Sequence, residues 1–198
     1  EAAVSAATPK MAPTSAPERT LPSLPSLLTN TLAKGEAWPA TNRELNFRLT
    51  ARDGKGGVSS DDMKIQVVNT GKAFALTSPL VTPLVAGQTQ TIDWDVAGTN
   101  AAPINCSKVD LYMTRDEGVN WTLLAGGQPN SGSASVTIPA GSDGTARLKV
   151  ACSDNLFFAI SPLKLSVTQR VEGGGGGGGA LGFWTLALAL LGWQRRRA

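Results

Sequence analysis

The chain predicts an all-β fold: an immunoglobulin- or fibronectin-like sandwich, preceded by a partial β module and followed by a C-terminal single membrane helix. The sandwich rests on seven short strand candidates spread over about 95 residues, Phe74 to Thr168, each bounded by Gly, Pro, Asn or Ser. The partial module rests on a stretch of period-two alternation after Arg43 that is too short to close a core of its own. The membrane helix rests on an apolar run closed by Arg195, Arg196 and Arg197.

Taken in chain order, residues 1–18 are Ala, Ser, Thr and Pro without an apolar period and read as a disordered linker. Residues 19–70 form the partial module. Leu21, Leu24, Leu27, Leu28 and Leu32 recur at spacings near three and four, but Pro22 and Pro25 interrupt them, which leaves a short helical turn over Ser26 to Ala33. A hairpin follows over 43–68: Leu45, Phe47, Leu49 and Ala51 alternate with Asn46, Arg48, Thr50 and Arg52, and Met63, Ile65 and Val67 repeat the pattern after a loop from Asp53 to Asp62. An isolated hairpin is marginal in water, so its apolar face needs other strands. Either it ends a sandwich truncated upstream, the favoured reading, or it docks on the domain that follows.

The sandwich itself spans 72–168. Its strand candidates are Phe74–Ser78, Thr89–Val96, Lys108–Arg115, Trp121–Ala125, Ala134–Ile138, Ala146–Ala151 and Leu163–Thr168. Ile92, Trp94 and Val96 alternate with Asp93 and Asp95, giving one strand a buried aromatic face and an acidic outer face. Residues 169–179 are a glycine-rich linker, and residues 180–198 carry the short membrane helix and its basic end.

Composition excludes several functions. The sequence pI near 9.1 hints at an anionic partner, but the three terminal arginines account for the whole net charge of +3. No basic stripe interleaved with aromatics remains, which argues against nucleic acid. The chain has no histidine, so it holds no His-based triad, no His-Glu-x-x-His zinc site and no histidine base. Two cysteines make no structural zinc site, and no carboxylate pair is marked for catalysis. The expectation is therefore a chain without catalytic residues, metal or cofactor, and not an enzyme as it stands.

Cys106 lies just before the third strand candidate and Cys152 just after the sixth. Those strands are antiparallel neighbours in a seven-strand sandwich, so the placement predicts a disulfide, with two free thiols as the alternative. Asp53-Gly-Lys-Gly-Gly57 with Asp61 and Asp62 reads as a turn between strands rather than a calcium loop, because a lysine intervenes and only one early carboxylate is present. Gly54, Gly56 and Gly57 lack the Lys-Ser/Thr of a phosphate loop. Among the tryptophans, burial is the expectation for Trp94 and Trp121; Trp38, or the outer acidic face, would be the contact in the alternative reading of a surface adhesion or glycan-binding module with a permanent single-span anchor. Thr114-Arg-Asp116-Glu-Gly118-Val-Asn-Trp121 resembles the Asp-box, a structural turn best known from sialidase-like propellers. A single copy suits a stabilised hairpin in which Asp116 accepts turn N–H groups, Gly118 takes φ > 0 and Trp121 packs back.

The tail is distinctive. Gly173, Gly174, Gly175, Gly176, Gly177, Gly178 and Gly179 lead into Ala180, Leu181, Phe183, Trp184, Leu186, Leu188, Leu190, Leu191 and Trp193. Fourteen residues, Ala180 to Trp193, reach only about 21 Å against a hydrocarbon core of about 30 Å, and glycine is a poor helix former. A frayed, side-chain-free approach to a short membrane helix suits an intramembrane protease; a plain single-span anchor behind a flexible linker is the alternative. The three elements in order resemble the GlyGly-CTERM sorting signal of Gram-negative bacteria. That resemblance implies a rhombosortase-like intramembrane serine protease as partner, type II secretion, and passage through the inner membrane with the N-terminal side periplasmic, ending at the cell surface or outside. The glycine run would be the processing site and the arginines would set topology. An exported tail without an export signal leads to the expectation that the chain is the C-terminal piece of a longer precursor.

A second resemblance covers Arg19 to Thr168. Asn42-Arg-Glu-Leu-Asn-Phe-Arg-Leu-Thr-Ala-Arg-Asp53, Ser60-Asp-Asp-Met63, Asp93-Trp-Asp-Val-Ala-Gly-Thr-Asn-Ala-Ala-Pro103, Ala146-Arg-Leu-Lys-Val150 and Asn155-Leu-Phe-Phe158 resemble the C-terminal region of secreted bacterial reprolysin-like zinc metalloproteases. The resemblance implies a β-rich appendage to an upstream catalytic domain. None of that family's zinc-binding histidines is present, so no catalytic residue transfers.

Overall fold

Alternation of apolar side chains produces strands here because every second residue meets the same core. In the computed structural model, which describes residues 20–38, 41–79, 83–141 and 143–169, the chain is all-β apart from one short helix, α1 (Leu24–Thr29). Strands β3 (Ala75–Ser78), β5 (Thr89–Asp95) and β8 (Ser133–Thr137) form one antiparallel sheet in the order β3-β5-β8. The second sheet runs β4 (Leu84–Val85), β11 (Leu165–Thr168), β9 (Asp143–Cys152), β6 (Lys108–Thr114), β7 (Thr122–Pro129), with β10 (Phe158–Ile160) also paired to β9.

The two sheets share one core. Leu76, Ile92, Trp94 and Val136 from the first meet Val109, Leu111, Met113, Leu148, Val150 and Leu165 from the second. Trp94 is buried as its alternation predicted, and burying an indole requires a partner for its N–H. Asn130 supplies it at 2.9 Å, while its own amide donates to Thr99 Oγ1 and the Cys106 carbonyl. Near the middle of the larger sheet, β6 pairs β9 antiparallel from Val109↔Cys152 to Thr114↔Arg147. Strand β11 lies antiparallel to β9 and parallel to β4.

Three details depart from the sequence reading. Strands β4 and β10 are additional, and both are too short to show a period. Helix α1 starts at Leu24, earlier than Ser26, because Pro25 occupies the first turn, where its missing N–H breaks no helical bond. The hairpin loop is shorter than Asp53 to Asp62: β1 (Arg43–Arg52) and β2 (Val58–Val67) pair in unbroken register from Arg43↔Val67 to Arg52↔Val58, which leaves only 53–57 for the turn.

Among the described residues the hairpin forms a sheet of two strands. One face carries Leu45, Phe47 and Leu49 opposite Ile65, Met63 and Asp61; the other carries the ion pairs Arg48–Asp62 and Lys64–Glu44. Leu45, Phe47 and Ile65 are half-buried, whereas Leu49 is 73% and Met63 51% exposed, so the apolar face is uncovered toward the turn. Among the described residues no helix is long and apolar enough to cross a membrane, and the tail residues Gly173 to Arg197 lie outside them.

Candidate functional site

The chemistry-bearing side chains lie at the two ends of the β6–β9 pair and on its outer face. Cys106 and Cys152 form a disulfide with Cα atoms 6.0 Å apart, and both residues are buried. The Asp154 carboxylate lies 3.1 Å from Cys152 Sγ, so Cys106, Cys152 and Asp154 superficially resemble a ligand set. Sulfurs joined to each other carry no thiolate charge and do not form a metal site.

At the other end, β6 runs into the turn that resembles the Asp-box. Thr114 Oγ1 donates to Asp116 Oδ1 at 2.8 Å and accepts from the Gly118 N–H at 2.9 Å. Asp116 also accepts from the Asn120 backbone N–H at 2.8 Å and its side-chain amide at 2.6 Å. These donors, the Asn120 backbone N–H first, hold the Asp116 carboxyl below its ordinary value of 3.8. Gly118 has φ +84, and a Cβ there would also press on Leu24 of α1. Its need for glycine is therefore double.

Trp121 is half-buried rather than fully buried, and it packs back against Gly118 of the turn as expected. Its ring lies on the outer face, with the Lys149 ammonium 4.3 Å from its centroid and 4.6 Å from that of Tyr112; Phe158 lies at 5.8 Å. Burial, with the Asp110 carboxylate nearby, raises the Tyr112 hydroxyl above its ordinary value. A lysine over these faces makes them a cation–π cluster rather than an open sugar-stacking surface. Trp38 is half-buried.

A cavity of about 290 Å³ opens beside the turn, lined by Met113, Arg115, Asp116, Asn120, Thr122, Pro139 and Ala140. Its ionisable groups already have structural work: Arg115 donates to the Pro139 carbonyl at 2.9 Å, and Asp116 is saturated by the turn. No nucleophile–base pair lines it. Several acidic residues elsewhere are similarly engaged. Asp53 Oδ1 accepts from the N–H groups of Lys55 and Gly57, and Arg48 grips Asp62 through Nε and Nη2. Asp95 on the outer acidic face accepts from Ala97 N–H.

Sequence reasoning missed Arg147. It alternates with core residues and so reads as a solvated outward charge, yet it is buried under the segment around α1, donating to the Leu28 carbonyl at 2.8 Å and to Ser161 O at 2.8 Å. No local signal marks it, because its cover comes from a contact 119 residues away in sequence. Comparison with known protein families finds no match for this chain, and comparison with curated proteins finds no relative.

Proposed function

We propose that the chain is a non-catalytic, disulfide-stabilised appendage of an exported bacterial protein, a β-sandwich of the immunoglobulin or fibronectin kind followed by a sorting tail. The observation that carries this reading is the Cys106–Cys152 disulfide at one end of the β6–β9 pair: such a bond persists in oxidising compartments, where the glycine-apolar-arginine tail would deliver it. The saturated Asp116 carboxylate of the turn and the engaged lining of the neighbouring cavity support a scaffold role. The upstream partner in this reading is a metalloprotease domain. A rhombosortase-like protease would cut within Gly173 to Gly179 after the Ala180–Trp193 segment enters the inner membrane, with Arg195 to Arg197 held on the cytoplasmic side.

Intact-mass analysis tests this directly. With the chain placed behind an export signal in a Gram-negative host that has type II secretion, the released product is expected to lack Ala180 to Ala198. Released or surface-held protein that retains Arg195 to Arg197 would support a permanent anchor instead.

A further inference from the structure

Arg147 stands on β9 between Ala146 and Leu148, both in the core, so its side chain leaves on the outer face of the sheet. A charged group there is normally solvated, but this one is only 5% exposed. The cover is the segment 20–36. Pro22 and Ser26 are buried, Leu24 lies against Gly118, and the Leu28 carbonyl near the C-terminal end of α1, where helix carbonyls lack internal partners, accepts from Arg147 Nη2. The segment closes on itself through Glu36, whose carboxylate accepts from the Ser23 N–H at 2.7 Å, the Ser26 hydroxyl at 2.6 Å and the Ala33 N–H at 3.3 Å.

The guanidinium is incompletely satisfied in this arrangement. Its buried Nε has no hydrogen-bond partner among the described residues, and Glu117 Oε2 stands 3.9 Å away, beyond hydrogen-bond reach. The other Glu117 oxygen is held by Lys164 at 2.5 Å. Glu117 belongs to the Asp-box turn and has φ +56, in the left-handed region that non-glycine residues rarely occupy. On the hairpin, Arg48 shows what a satisfied edge looks like: Nε and Nη2 grip the two oxygens of Asp62 side by side.

We propose that Arg147 is a two-state latch for the segment 20–36. In the seated state its Nη2 holds the Leu28 carbonyl and Nε goes without a partner. In the released state the same Nε/Nη2 edge closes on Glu117 as a paired fork, which satisfies Nε and replaces the lost carbonyl. Competition between a carbonyl and a carboxylate for one edge of the guanidinium sets how often the segment lifts. Because Glu117 is part of the Asp-box turn, that turn registers whether the upstream chain is docked.

Trypsin cleavage after Lys34, an exposed residue inside the closed segment, reads the lifted fraction in the full chain when reclosing is faster than cleavage. Leu24→Asp, which removes the segment's apolar contact with Gly118 and leaves Arg147 and Glu117 in place, and Arg147→Met are each expected to raise the rate about tenfold or more. Glu117→Gln, which weakens the released pairing, is expected to slow it about threefold. The amide of Val150, in the sheet core, serves as the control for folding: its exchange protection is expected to persist in Leu24→Asp. Cleavage in Leu24→Asp within about twofold of the unaltered chain overturns the docked segment. Faster cleavage in Glu117→Gln overturns the competition, since it would make Glu117 a support of the seated state.

Discussion

The hairpin β1–β2 and the two-sheet body use the same antiparallel, alternating strand grammar but differ in how far their apolar face is covered. In the body, Leu111 on β6 is fully buried because the smaller sheet covers it; in the hairpin, Leu49 is 73% exposed because no third strand or second layer among the described residues does. Polar residues follow the same division. The body buries a Trp94–Asn130–Thr99 network that must be satisfied, whereas the hairpin's Arg48–Asp62 pair lies in water, where screening leaves an ion pair little net effect. Alternation alone therefore specifies a strand and its two faces, and the number of layers decides whether that face stabilises anything.

The largest expected effect that separates the two regions comes from the disulfide. It closes a separation of 46 residues wholly inside the body, so replacing Cys106 and Cys152 with alanine should destabilise the body by about 4 kcal/mol in the chain-entropy view. Denaturant unfolding followed by Trp94 fluorescence should show this, while hydrogen exchange in β1 and β2 stays unchanged. Parallel loss of protection in the hairpin would mean that the two regions fold as one.

Next in size is a matched pair of truncations. Leu111→Ala should cost about 3 kcal/mol through lost transfer and cavity, whereas Leu49→Ala should fall within about 0.5 kcal/mol of zero in the same melt. A large effect at Leu49 would show that its face is covered in solution and would erase the contrast.

The smallest effect is acid-dependent. Asp116 is held below its ordinary value by the turn, so its contribution to the body is fully present above 3.8 and is lost as pH falls through the lower folded value. Asp62, lowered chiefly by its hydrogen bond from Arg48, follows the same sign in the hairpin. Asp116→Asn should flatten the acid limb of the body's stability curve and leave the hairpin's acid response to Asp62. Urea midpoints collected from neutral pH down past that range would show it, and an unchanged acid limb would remove Asp116 from the balance.

The strands were legible wherever one face was buried and the other wet, as with Ile92 and Trp94 against Asp93 and Asp95. They were illegible where that asymmetry failed. Ser59, Ser60, Asp61 and Asp62 are polar on both faces, so the start of β2 looked like loop, and β4 and β10 are shorter than one full alternation. The disulfide could be read from strand order because a pair flanking neighbouring strands is a local geometric statement. The Asp-box was visible as spacing, but its second use as the floor under Leu24 was not, and neither was the burial of Arg147. Both depend on a segment that returns to the sheet from far away in sequence, and no period or spacing encodes such a return.

The position of Arg147 also has a mechanical meaning. Its neighbour Ala146 pairs with Leu165 on β11, the strand that ends at Thr168 and continues into the tail. A pull between the chain ahead of α1 and the chain beyond Thr168 therefore has a short route: from the Leu28 carbonyl through the guanidinium to β9, and from β9 to the neighbouring strand. Tension along that route loads the Arg147 contacts before it reaches the disulfide or the Trp94 network, so the segment would peel away under force while the body stayed folded.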